Sequence, residues 1–235
     1  MIRAVLLDLG GTLVDSGRGT ELAVRELIRR FKRYGAELDE GRVLREWWEI
    51  WKARVYDPGL MVEKIRAMVA ELLSRFGISS SHLDEAFDLF LSEEVKHTKP
   101  FPEVPQVLEE LRKLGCRLAV ISNCSSRWGN GVLDSTGLRG YFDLVLISDE
   151  IGVAKPDEMI FELALRSLRV GREEAIMVGD DPKTDVEGAT RAGIRACLVD
   201  RTGKWAGKGS IECRLKDLME LLSMLKGAGE SPSIT

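Results

Sequence analysis

Long apolar runs are missing from this 235-residue sequence: no stretch of 18 residues is apolar throughout, the minimum for a membrane-crossing helix. The N-terminus has no charged start, apolar stretch or small-residue cleavage site of the kind a secretory leader carries. The cytoplasm is therefore the expected location, with no membrane partner. Basic blocks are absent too: 38 acidic residues slightly outnumber 34 basic ones, for a net charge of −4, so nucleic acid is not an expected partner. Soft metal ligands are scarce, with only two histidines, His82 and His97, and four scattered cysteines. Cys116, Cys124, Cys197 and Cys213 form no Cys-x-x-Cys pair. Zinc and a disulfide framework are both disfavoured, and the cysteines are expected to be reduced and packed. No internal repeat or low-complexity tract occurs.

What is present is enough for a sizeable core, with 44% hydrophobic and 31% charged residues. Ala4-Val5-Leu6-Leu7 reads as a short buried strand that ends abruptly on Asp8-Leu9-Gly10-Gly11-Thr12. A carboxylate at the end of such a strand stands where open α/β sheets bind ligands, and the glycines let backbone amides approach an anion. Helical periodicity then takes over. Val24, Leu27, Ile28 and Phe31 begin it; Leu44, Trp47, Trp48, Trp51 and Val55 repeat it, and two further helices follow before residue 97. The tryptophan stripe has two readings, a packed helix face or a pocket wall, and the packed face is the commoner use of such a stripe. Basic residues of the first helix, Arg18 and Arg25 among them, are expected mainly to solvate it.

From Pro100 onward strands alternate with helices, the pattern of a parallel sheet. Arg117–Ile121 leads to Ser122-Asn123, Leu144–Ile147 precedes Lys155-Pro156-Asp157, and Ala175–Val178 ends on Gly179-Asp180-Asp181. Ile194–Val199 is a fifth strand, and Leu215, Leu218, Leu222 and Leu225 mark a closing helix. In a parallel sheet these strand ends share one edge, so Asp8, Ser122, Asn123, Lys155 and Asp180 converge. Their types suit phosphoryl transfer: a carboxylate nucleophile, hard oxygens for magnesium, and cationic and polar groups for phosphate. The competing reading of Asp180, Asp181 and Asp185 is a solvated acidic turn that caps a helix.

In order, these motifs resemble the haloacid dehalogenase superfamily over nearly the whole chain. Asp8 to Asp15 is similar to its nucleophile motif, Ile121-Ser122-Asn123 to its second, Lys155-Pro156-Asp157 to its third, and Val178 to Asp185 to its acidic fourth. The resemblance implies a Rossmann-like α/β core, residues 1–15 and 98–226, with an all-helical cap inserted at 16–97. Residues 227–235 are expected to be a loose tail. It implies Asp8 as nucleophile and Lys155 as its bridge to phosphate. Asp8, Asp180, Asp185 and the carbonyl of Gly10 form the implied Mg2+ site, with Asp185 acting through water. Gly11, Thr12, Ser122, Asn123 and Lys155 are the expected substrate-binding residues. The expected activity is a magnesium-dependent phosphatase for a small phosphorylated metabolite.

One position departs from the pattern. The family's phosphatases usually carry a second aspartate two residues after the nucleophile, and here Gly10 stands there. Two alternatives follow from it: a 2-haloacid dehalogenase-like hydrolase, or a catalytically weakened phosphate-binding protein. Cys124 and Trp128 flank the second motif and are expected, respectively, to pack as a buried thiol and to lie near the site. The sequence does not indicate an oligomeric state.

Overall fold

A computed structural model describes residues 1–57, 59–206 and 211–227. Strand β1 (Ala4–Leu7) is buried along its whole length and pairs in parallel on both edges, with β2 (Arg117–Ser122) and β4 (Ala175–Gly179). Adding β3 (Leu144–Ile147), β5 (Arg195–Val199) and β6 (Arg214–Leu215) gives the order β3-β2-β1-β4-β5-β6, every pairing parallel. The expected strands are all there. β6 is extra, and its two residues are too few for any apolar pattern to reveal it.

Four helices follow β1 and form a unit of their own: α1 (Ser16–Arg33), α2 (Glu40–Arg54), α3 (Met61–Arg75) and α4 (Leu83–His97). They share an apolar core of their own, in which Ala23, Leu27, Phe31, Trp47, Met68 and Phe90 are buried. The tryptophan stripe divides. Trp47 is fully buried against Phe90, while Trp48 and Trp51 are half-buried and turn toward a cavity. The two chain crossings into this unit are tied together, because Asp15 N–H donates to Lys99 O at 2.9 Å and Phe101 N–H donates to Leu13 O at 3.1 Å.

The sheet is covered on both faces. Val5, Leu7, Val120 and Val178 pack against α5 (Val104–Lys113), α6 (Ser126–Ser135) and, further along the chain, the closing helix Leu218–Gly227. Leu6, Ala119, Ile121 and Met177 point the other way. They meet the helix Glu158–Leu168 and the short helix Gly188–Arg191, which with the four-residue helix Ser148–Ile151 complete the set. Successive strand residues alternate between faces, so a strand covered on both sides reads as an unbroken apolar run.

Two expectations change here. Cys197 and Cys213 form a disulfide with Cα atoms 4.6 Å apart, whereas Cys116 and Cys124 are free and buried. The pairing of β5 with β6 brings the two half-cystines together, and a pairing so short left no signal in the sequence. Gly227 belongs to the closing helix rather than to a tail, and the rest of the expected tail, 228–235, lies outside the described residues. Among the described residues no helix is long and apolar enough to cross a membrane.

Glu94 of α4 is a buried carboxyl facing α1, and the Thr20 hydroxyl donates to its Oε1 at 2.6 Å. Burial pushes this carboxyl up to about 7, and the Thr20 hydrogen bond pulls the other way. No charged side chain on the neighbouring helices α1, α3 and α6 offsets the burial. The folded state thus holds a proton that the unfolded chain releases near pH 4.5, and stability falls as pH rises from there through about 7. Glu94→Gln keeps the shape and the hydrogen bond. Urea unfolding is expected to show the variant more stable than the parent by ~2 kcal/mol at pH 8, with the difference gone at pH 4.

Candidate active site

The chain runs from β1 through β2 to β3 on one side and from β4 through β5 to β6 on the other, so the topology reverses between β1 and β4. The loops leaving these two strands diverge and open a crevice at the carboxyl edge of the sheet. Asp8 leaves β1 and Asp180 leaves β4 at this point, held in register by Asp8 N–H donating to Val178 O at 3.0 Å. Glycine is required at two places around them. Gly11 has φ +78°, and a Cβ there would lie 2.5 Å from Asp180 Oδ2. A Cβ on Gly179 would lie 2.0 Å from Asp185 Oδ2, so only a bare backbone lets that carboxylate settle over the strand end.

Lys155 joins the acids. Its Nζ donates to Asp8 Oδ1 at 2.6 Å and lies 2.7 Å from Asp185 Oδ1, with all three side chains buried. Burial opposes the charge on Lys155, but Asp185 and Asp8 outweigh it and hold its proton more firmly than usual. Asn123 fixes the lysine from behind. Its Nδ2 donates to Lys155 O at 2.7 Å, and its Oδ1 accepts from Lys155 N–H at 2.8 Å. The amide expected to contact substrate is therefore engaged in holding Lys155.

Carboxylate oxygens of Asp8, Asp180 and Asp185 lie within 4.8 Å of one another. Burial pushes Asp8 up to about 7, against the pull of Lys155 and with added repulsion from Asp185 and Asp180. Burial and Asp185 together push Asp180 up to about 6. The acidic turn splits between its two sequence readings. Asp181 caps the widened helical turn Pro182–Glu187 by accepting from Lys183 and Thr184 N–H, while that turn carries Asp185 back toward Asp8. Turns of this wider type recur at functional sites.

Above the acids lies a cavity of about 890 Å³ between the sheet edge and the four-helix unit. Asp8, Gly10, Gly11, Ser122, Asn123, Lys155, Asp180 and Asp185 line its floor, as do Cys124 and Trp128 beside them. Burial pushes the Cys124 thiol up to about 12, which makes it inert. Thr12 is not brought to the wall: it is fully buried behind the turn, and its carbonyl accepts from Arg201. Arg18, Arg25, His82 and His97 also lie off the cavity; Arg25 pairs with Glu40, and His82 stacks on Tyr34.

Several wall residues had no sequence signal. Tyr56 Oη donates to Asp181 Oδ2 at 2.7 Å, and Asp149, next to the wall residue Ser148, accepts from Met61 and Val62 N–H at 2.7 and 2.8 Å and so caps α3. Arg201 stacks 3.6 Å from the Phe101 ring and pairs with Glu103 at 2.7 Å. These links join residues far apart in the chain, so no local pattern announces them.

A sequence model of the family described as "haloacid dehalogenase-like hydrolase" matches residues 2–193. The chain belongs to this family. It is 36% identical to a phosphoserine phosphatase of Thermus thermophilus over 210 residues, 85% of this chain and 82% of the relative. It is 32% identical to a phosphoglycolate phosphatase of Aquifex aeolicus over 202 residues, 84% of each. A 2-haloacid dehalogenase structure from Pseudomonas syringae superposes with TM-score 0.71 at 27% identity, covering 97% of this chain and 100% of that one.

The donor set fits a divalent cation. Hard carboxylate oxygens of three acids face two lysines, Lys155 and Lys204, whose Nζ lies 3.5 Å from Asp180 Oδ2, and two of the three acids are pushed up by burial and by lying so close together. A cation there relieves that repulsion and stabilises the fold by mass action. With magnesium as the probe at about ten times its dissociation constant, thermal unfolding at pH 7.5 is expected to shift up by ~4 °C. Asp180→Asn should abolish most of that shift.

Proposed function

We propose that this chain is a magnesium-dependent phosphatase that hydrolyses a small phosphorylated metabolite through an aspartyl-phosphate on Asp8. The observation that carries this is the buried Asp8–Lys155–Asp185 arrangement, with Asp180 beside it, at the floor of a cavity. Lys155 occupies Asp8 Oδ1, which leaves the other oxygen to attack phosphorus. The same ammonium, with backbone donors near Gly11 and Ser122, neutralises the phosphoryl oxygens as charge develops. Asp8, Asp180, Asp185 and the Gly10 carbonyl are the proposed magnesium ligands, and the ion supplies the remaining positive charge. In this reading residues 16–97 act as a cap over substrate, and the enzyme works in the cytoplasm. Disulfides are rare in the cytoplasm outside hyperthermophiles, so the Cys197–Cys213 bridge fits that location only in such an organism.

A halide-releasing reaction uses the same nucleophile but gains nothing from Asp180, whose charge raises the proton affinity of Asp8. The acid cluster therefore favours phosphate chemistry. The cap also indicates a substrate type. Lys64 lines the cavity with Trp48, Trp51 and Ile65, and among the described residues its Nζ donates only to Val55 O, at 3.2 Å. Burial lowers its proton affinity, with Asp57 and Asp149 pulling the other way. An ammonium held by one carbonyl suits a second anionic group on the substrate. Phosphoserine and phosphoglycolate, named by the two relatives, both carry a carboxylate near the phosphate.

The test is phosphate release from a panel of metabolites with magnesium, with 2-haloacids assayed in parallel. Phosphate release that falls by roughly 10³-fold or more in Asp8→Asn is expected; halide release, or neither product, overturns the reading. Lys64→Ala is expected to raise KM for carboxylated phosphates by about tenfold at nearly constant kcat, as loss of one charge-assisted contact implies.

A further inference from the structure

We propose that Glu94 is the acid and base of the reaction, supplying from the cap the proton transfers that Gly10 cannot. The proposal rests on the phosphatase reading above.

The wall beside Gly10 is already occupied. A Cβ on Gly10 would meet Ser16 Oγ at 3.1 Å and Trp128 Cη2 at 3.5 Å, so α1 and α6 fill the space an aspartate would claim. Ser16 and Thr20 lie four residues apart on α1 and share a face, which carries the polar wall about 6 Å up from the floor. There the Thr20 hydroxyl holds Glu94 Oε1 at 2.6 Å. Thr20 and Glu94 both line the cavity. Glu94 Oε2 has no hydrogen-bond partner among the described residues, yet it is not among the polar atoms sealed from solvent without one. The free oxygen therefore opens into the cavity that the substrate must occupy.

Other carboxyls in the wall are already committed. Asp15 and Asp157 cap helices, Asp181 caps a turn and accepts from Tyr56, and Asp57 pairs with Arg54. Glu94 has neither a cation nor a helix terminus to serve. A glutamine would make the same hydrogen bond to Thr20 without the burial penalty, so the carboxyl is costly to the fold and has a chemical use. A buried carboxyl that titrates near 7 can both give and take a proton at neutral pH.

The steps balance. As Asp8 attacks and the bond from phosphorus to the leaving oxygen breaks, that oxygen takes the proton from Glu94, giving the alcohol and a Glu94 carboxylate. Water then attacks phosphorus, its proton passes to Glu94, and the bond from phosphorus to Asp8 breaks. Inorganic phosphate leaves, and Asp8 and Glu94 return to their starting states.

Glu94→Gln tests this against substrates graded in leaving-group basicity. With alkyl phosphates kcat/KM is expected to fall by about 10²-fold or more. With p-nitrophenyl phosphate, whose leaving group needs no proton, the first turnover is expected to change by less than about fivefold. Release should then stall as a burst, because water activation is also lost. Equal loss on every substrate, no loss, or a burst no larger than the parent's overturns the proposal. A thermal midpoint at pH 8 no lower than the parent's separates lost chemistry from lost folding. Should the variant fail to fold, Thr20→Val replaces it, with about a tenfold selective loss on alkyl phosphates expected. If the parent releases no phosphate from any substrate, the phosphatase reading falls and this proposal with it. If the parent is active and Glu94→Gln matches it, only this proposal falls.

Discussion

The Lys155 ammonium, shared between Asp8 and Asp185, is the interaction on which the rest of the structure depends. A buried ion of either sign is costly alone, and removing one partner of such a group leaves an uncompensated charge inside the protein. Here two carboxylates hold one ammonium, and a third carboxylate stands within 4.8 Å. The arrangement carries net negative charge, and it persists because the backbone fixes its members. Asn123 clamps the lysine main chain, Gly11 and Gly179 make room for Asp180 and Asp185, and the widened turn after Asp181 returns Asp185 to the sheet edge. The site is thus left short of positive charge, the condition under which a divalent cation and a phosphoryl group can share it.

Placement at the sheet edge follows from topology. β1 has hydrogen-bonded neighbours on both sides, which hold its end in place, and the switch between β1 and β4 opens the crevice beside it. A nucleophile on this strand is positioned by the main core, whereas Trp48, Trp51, Tyr56 and Lys64 are positioned by the separate core of the four helices. Two independent cores meet around one cavity. The floor and the helical wall are therefore free to vary separately.

Much of this was legible in the sequence, for identifiable reasons. A strand buried on both faces must be an unbroken apolar run, so Ala4–Leu7 and Ala175–Val178 announced themselves and located Asp8 and Asp180. Helices with their own core must show helical periodicity, which marked out residues 16–97. Legibility failed where a role depends on a distant partner. Asn123 is polar and at a strand end, but only the fold shows its amide holding Lys155. Thr12 sits in the motif yet points away from the cavity, because the turn from Gly11 to Val14 buries it. The Cys197–Cys213 bridge depends on β6, two residues long, and Trp47 parts from Trp48 and Trp51 because one side of α2 packs into the helical core while another borders the cavity.

A proton carrier borne by the helices rather than by the nucleophile loop has a kinetic consequence. An acid two residues from Asp8 would travel with the floor and be present whether or not the cavity is closed. Glu94 is on α4, and its distance from the floor is set by how the helical unit sits on the sheet. That seating is held by contacts spanning the two units: Tyr56 to Asp181, the α3 N-terminus to Asp149, and Arg127 to Asp88. All three are polar contacts rather than apolar packing, so they can break without unfolding either unit. On the proposed reading, opening the cap removes the acid from the leaving group at the same moment that it admits water. An aspartyl-phosphate formed in the closed state then meets its activating base only while the cap remains seated. Closure becomes a condition for both half-reactions, which ties turnover to the motion of the cap.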